Sequence, residues 1–95
     1  MKIERTDTGQ IELRLSDDSD QFKRLAEIVR KTLGGKWIEK IDGLDQSYWD
    51  LEVESTKITV HREHYLGASV FGDDVPATRS LLEKLQSTWE SVTTE

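Results

Sequence analysis

The 95-residue sequence contains no cysteine. That excludes disulfides, thiol catalysis and thiolate metal sites, fits a reducing compartment, and leaves the core to hold without a covalent staple. Long apolar runs are also missing: nothing approaches the roughly 20 residues that a membrane-spanning helix needs. The opening MKIERTDTG lacks the apolar segment of a signal peptide, so a cytoplasmic location is expected. Positive charge is the scarcer sign. Thirteen Lys and Arg stand against nineteen Asp and Glu, a net charge of -6, which argues against nucleic acid or an anionic membrane and favours a basic partner. No Gly-x-Ser-x-Gly elbow, Ser-His-Asp order or phosphate loop is present, because Gly34-Gly35 closes a helical pattern and does not open one.

What is present suits one domain over residues 1–95, with charged residues at 34% against 35% hydrophobic, a globular balance. Ile3 opens an extended run. Asp7-Thr8-Gly9 is turn chemistry, and Ile11, Leu13 and Leu15 then alternate with Glu12 and Arg14 as the second arm of a hairpin. Asp18 and Gln21 have capping-box spacing, and Phe22, Leu25, Ala26, Val29 and Leu33 recur at helical spacing until Gly34. Asp17, Asp18 and Asp20 suit the positive end of that helix dipole, and Arg30 and Lys31 the negative end. Lys36 to Ile41 reads as a strand with Trp37, Glu39 and Ile41 on one side and Ile38 on the other. After a last short strand at Ala68 to Phe71, Pro76 suits a first helical turn, and Leu81, Leu82, Leu85, Trp89 and Val92 form a second apolar stripe before a fraying end at Thr93 to Glu95. The fold expected is α+β: an antiparallel sheet of about four to six strands in the order β(β)-α-β-β-β-β-α, with both helices on one face and the other face open.

The stretch from Ser47 to Phe71 organises the chain. A two-residue turn at Ser55-Thr56 pairs Val53 with Ile58, Leu51 with Val60 and Asp50 with His61. Trp49, Leu51, Val53, Ile58 and Val60 then share a buried face, leaving Asp50, Glu52, Glu54, Lys57, Thr59 and His61 on the other. Asp50, Glu52 and Glu54 form an acidic stripe, with Tyr48 at its end and Asp42 and Asp45 before it, partly neutralised by Lys57 and Arg62. Such a stripe can steer and pair with Lys and Arg of a partner, so Asp50, Glu52, Glu54, Tyr48 and Asp45 are the candidate partner-binding residues. A second candidate is a ligand pocket of Trp49, Arg62 and Tyr65, with Arg62 stacked across from Trp49. His61 and His64, with Asp73, are the only residues suggesting metal or acid-base chemistry. On one strand the two imidazoles point to opposite faces, so no metal or cofactor is expected, and an ion pair with Asp50 is expected to raise the pKa of His61.

The segment YWDLEVESTKITVHREHYLGASVF, with its Trp-x-Leu-x-Val and His-Tyr-Leu-Gly runs and a closing helix, resembles small bacterial proteins of uncharacterised families. Among these are immunity proteins that neutralise toxins delivered between competing bacteria. The resemblance implies tight binding of a toxin domain by an acidic surface that covers a basic active site. The expected function is therefore a non-enzymatic inhibitor or immunity protein. The alternatives are a small metal-dependent or acid-base enzyme using His61, His64 and Asp73, and a homodimeric accessory subunit or secretion chaperone. Secretion chaperones of this size open with a helix, whereas this chain opens with strands. The chain alone is compatible with a monomer or a homodimer.

Overall fold

A computed structural model describes residues 2–93, apart from the side chains at 19 and 91–93. The expected Val92 in the apolar stripe and the fraying end therefore fall outside what is described. The elements in order are β1 (Ile3–Arg5), β2 (Gln10–Ser16), a 3-10 turn (Ser19–Gln21), α1 (Phe22–Leu33), β3 (Lys36–Asp42), β4 (Gln46–Val53), β5 (Thr56–Glu63), β6 (Gly67–Asp73) and α2 (Pro76–Thr93). The six strands form one antiparallel sheet in the order β1-β2-β6-β5-β4-β3. The last strand to be made is thus central: β6 joins the N-terminal hairpin to the meander β3–β4–β5.

Alternation decides which face is core. Ile11 and Leu13 of β2, Val70 of β6, Ile58 and Val60 of β5 and Leu51 of β4 are fully buried, in one cluster with Ala26 and Val29 of α1 and Leu82 and Leu85 of α2. Each such aliphatic removed from water contributes roughly 1.5–3 kcal/mol, which is what ties both helices to this face. Pro76 opens α2 as expected, and Asp74 takes Arg5 of β1 and Arg79 of α2 at 2.9 and 3.2 Å. Arg30 and Lys31 lie in the last turn of α1 as expected, and Arg30 also pairs one turn back with Glu27 at 2.5 Å, which holds the Glu27 carboxyl below its ordinary pKa through that hydrogen bond.

Three local expectations are corrected. The β4–β5 turn lies at Glu54-Ser55, both at positive φ (49° and 71°), and not at Ser55-Thr56. A tight two-residue hairpin turn needs positive φ at both central residues, and β-branched Thr56 resists that conformation and stays in the strand. Val53 consequently pairs with Thr56, Leu51 with Ile58 and Asp50 with Thr59. Moving the turn centre by one residue shifts each pairing by two, so every side chain keeps its face. The second correction is in β3, where the register shifts between Trp37 and Glu39. This bulge leaves Ile38 unpaired and reverses the phase beyond it: Trp37, Lys40 and Asp42 lie across from the core-facing Leu51, Trp49 and Ser47, while Glu39 and Ile41 lie across from Asp50 and Tyr48 on the open face. Third, the capping box does not form. Gln21 is the N-cap of α1 with no side-chain bond, and Asp18 Oδ1 accepts the Asp20 N–H at 2.8 Å, serving the preceding 3-10 turn.

Candidate protein-binding face

The face of the sheet turned away from the helices carries the odd-numbered side chains of β5 and β6 and the even-numbered ones of β1, β2 and β4, with Lys36, Glu39 and Ile41 of β3. Register then places like charges directly opposite each other twice: Glu4 across from Glu12, and Glu39 across from Asp50. Opposed like charges destabilise a sheet, so neither pair stabilises its ladder. Asp50 is further fixed by the Thr59 hydroxyl, which donates to Oδ1 at 2.7 Å. Glu52, by contrast, lies between Lys36 on one neighbouring strand and Lys57 on the other.

Of the expected partner residues, Tyr48, Asp50 and Glu52 share this face on β4. Glu54 sits in the turn at its end, and Asp45 lies in the β3–β4 connection, where its carbonyl accepts the His64 N–H at 2.8 Å. Asp42, expected beside the stripe, belongs to the other face. It accepts the Trp49 indole N–H at 2.9 Å, and this bond, then one from Ser47, hold its carboxyl below the ordinary range. Arg62, expected across from Trp49, is opposite Ser47 on the same core-facing side, donating to Ser47 Oγ and to the Gly43 carbonyl, each at 3.2 Å. Its charge acts on Asp42, on that same side of the sheet.

The middle of the face is aromatic. His61 is opposite Tyr48, not Asp50, and the two rings stack at 4.5 Å and 16°, with Phe71 edge-on at 5.9 Å. The Tyr48 hydroxyl donates to Gln46 Oε1 at 2.6 Å, and Gln46 Nε2 donates to Glu63 Oε1 at 3.2 Å, so one row of bonds orients Tyr48 and Glu63 together. A recess of about 200 Å³ beside His61 is lined by Glu12, Arg14, Glu63 and Ser69, and the Ser69 hydroxyl donates to Glu12 at 3.1 Å. Arg14 crosses the recess to donate to the Leu66 carbonyl.

The expected direction for His61 is overturned. Its Nε2 is buried without a partner among the described residues, and desolvation pushes its pKa down, against the pull of Glu63 and Glu12. A histidine with a folded-state pKa below its unfolded value contributes stability that is complete above about pH 6.5 and is lost as the pH falls below it. Compared with His61→Phe, which keeps the stack and cannot titrate, the wild type is expected to lose stability between about pH 7.5 and 5.5. Urea denaturation of both proteins across that range checks it, and parallel curves would rule it out.

The pocket expected from Trp49, Arg62 and Tyr65 is not assembled. Trp49 is buried across from Val60, under Lys40, whose Nζ lies 4.3 Å from its ring centre. Arg62 lines a separate basin at the start of α1 with Lys23 and Asp42, and Tyr65 projects from the β5–β6 turn with the His64 ring against it at 4.3 Å. His64 thus packs a turn while His61 lies on the sheet and Asp73 at the far end of β6, opposite Gln10. Among the described residues no group of three His, Asp or Glu is placed to hold a metal ion. The residues that sequence reasoning left out of the site, Glu39, Ile41 and Glu12, could not be assigned to it without the β3 bulge and the placement of β6 beside β2.

Among the described residues no helix is long and apolar enough to cross a membrane. Residues 1–75 match the model of a family described as a protein of unknown function (DUF3630). Neither a curated protein nor a solved structure matches the chain.

Proposed function

The chain belongs to the DUF3630 family, and because that description assigns no activity we propose from the geometry that it is a non-enzymatic binding module for a basic protein. In this proposal it acts as an inhibitor or immunity protein, and the open sheet face covers a basic surface of a toxin or enzyme in the cytoplasm. The observation that carries the proposal is Glu39 standing directly opposite Asp50 on a face that no element covers among the described residues. Repulsion between such carboxylates is relieved when a Lys or Arg of a partner comes between them, so the interaction is stronger in the complex than its parts are in the free protein. Tyr48, stacked on His61 beside them, supplies a rigid amphipathic contact of the kind enriched at interfaces.

Affinity capture from the source lysate at low and then high salt tests this proposal. The expected result is one basic protein, released as salt rises and no longer retained by an Asp50→Lys, Glu39→Lys double variant. Glu39 is exposed and Asp50 half-buried with the Thr59 hydroxyl donating to it, so the variant is expected to fold with a melting temperature lowered only by the loss of that one bond, about 1 kcal/mol. Its affinity for the captured protein should fall at least about 100-fold, the loss of two charge-assisted contacts. Unchanged affinity and unchanged salt dependence would remove the acidic face from the interface.

A further inference from the structure

β3 is the outermost strand of the sheet, and its outer row of backbone groups meets no other strand among the described residues. It is also hardly part of the core: only Trp37 is partly buried, while the other six residues are exposed. Ile41 is 54% exposed on the open face and Ile38 48% exposed at the bulge. Leu44 of the β3–β4 turn is 96% exposed, and Tyr48 borders them on β4. Tyr65 and Leu66 stand at the adjoining β5–β6 turn, which the His64-to-Asp45 hydrogen bond joins to the first. Of the large hydrophobic side chains exposed among the described residues, Ile41, Leu44, Tyr48, Tyr65 and Leu66 lie in or next to the corner formed by these two adjoining turns, Ile38 lies farther along β3 at the bulge, and Val75 lies elsewhere. Carboxylates border the corner: Glu39 and Asp50 at one side of the Ile41–Tyr48 pair, Asp45 and Glu63 at the other.

Exposed apolar edge strands are places where another chain adds by backbone pairing. The opposite edge, β1, has three residues and offers little of this. On β3 the bulge confines regular pairing to residues 39–42. Lys40, the one cation within residues 39–42, lies over the Trp37 and Trp49 rings on the core-facing side.

We infer that β3 takes up an extended segment of the basic partner as a seventh strand, paired along residues 39–42; this rests on the proposed function and specifies how the partner is held. Side chains two apart in the incoming strand share the open face. One of them is therefore a Lys or Arg beside Glu39, which already faces Asp50, and the other is an aliphatic beside Ile41 and Tyr48. The recognised pattern is basic-x-aliphatic in an extended conformation. Charge selects this occupant over a second copy of the chain, because Glu39, Asp50, Asp45 and Glu63 border the edge and a copy with net charge -6 brings no surplus of positive charge to meet them.

The probe is the peptide Lys-Thr-Val-Thr-Lys-Thr-Val-Thr, compared with a copy N-methylated along its backbone and with octalysine, each titrated into the full chain and followed by amide NMR and hydrogen exchange. The expected result is at least tenfold greater exchange protection of the outward-facing amides in residues 39–42, at least tenfold weaker binding of the methylated copy, and a similar loss in Ile41→Asp. Equal binding of all three peptides, with shifts confined to Asp50 and Glu52, would overturn strand addition and leave the acidic-face proposal intact. Failure of every peptide to bind, together with an empty capture, would remove both. Protection of residues 39–42 without peptide, with a doubled mass in sedimentation, would make the occupant a second copy and overturn the inference.

Discussion

Replacing Gly67 with alanine is expected to destabilise the fold by about 3–5 kcal/mol, the sum of a left-handed backbone and a clash that the surroundings cannot absorb. Gly67 has φ of 92° and opens β6 directly after the β5–β6 turn. A Cβ there would overlap the Ser16 carbonyl oxygen and stand 2.7 Å from backbone atoms of Asp17. Those are main-chain atoms at the end of β2, where the pairing with β6 already shifts between Arg14 and Ser16. They can retreat only by pulling β2 from β6, the contact that joins the N-terminal hairpin to the rest of the sheet. Gly34 is the internal control. It has φ of 77° as the C-cap of α1, yet nothing lies within 4 Å of where its Cβ would be, so Gly34→Ala should cost only the conformational part, about 1–2 kcal/mol. Urea denaturation of both variants at constant slope separates the two contributions. A cost for Gly67→Ala no larger than that for Gly34→Ala would show that the turn moves freely away from β2.

What could be read from the residues was parity, and what could not was position along the strand. Trp49, Leu51, Val53, Ile58 and Val60 alternate so regularly that their common face follows from any pairing that keeps the odd–even relation. The observed β4–β5 register differs from the expected one by two residues and preserves that face. Everything that depends on who sits opposite whom changed with it. Asp50 gained Thr59 and lost His61, His61 gained Tyr48, and the expected rise in the His61 pKa became a fall because burial among the rings outweighs the pull of Glu63 and Glu12. In β3 even parity failed, since one unpaired residue at Ile38 rotates all that follow. A bulge leaves no composition signal when the residue it skips is an ordinary isoleucine. The acidic stripe was therefore legible on β4 but not its counterpart on β3, and the sharpest feature of the site, Glu39 against Asp50, exists only because of that skip.

Trp49→Ala is expected to cost about 3–5 kcal/mol, the range for truncating a large buried aromatic, and to release β3 before the rest of the sheet. Trp49 is 8% exposed and meets the Phe22 ring of α1 at 5.0 Å and the Trp37 ring of β3 at 5.3 Å, both edge to face. Its indole N–H bonds to Asp42 at the end of β3, and Lys40 of β3 covers its ring. Three of the seven β3 side chains thus depend on one residue of β4, whereas β4 itself is held from both sides. Without the indole, β3 keeps its ladder to β4 but loses the ring against which Trp37 and Lys40 lie and the stronger of the two bonds to the Asp42 carboxyl, whose pKa moves toward its ordinary value. Trp49→Phe retains an aromatic ring and removes the hydrogen bond, so it should cost about 1 kcal/mol beyond the lost area and leave β3 docked. Native-state hydrogen exchange distinguishes the outcomes: in the alanine variant the β3 amides should exchange by local opening well below the global free energy, while those of β5 and β6 follow global unfolding. Because the edge that accepts a partner strand must first be in place, the same variant should lose peptide binding at temperatures where its helices are still folded. Uniform loss of protection across all six strands would instead mean that β3 is an integral part of the core, and that its exposure does not reflect a separable, partner-accepting edge.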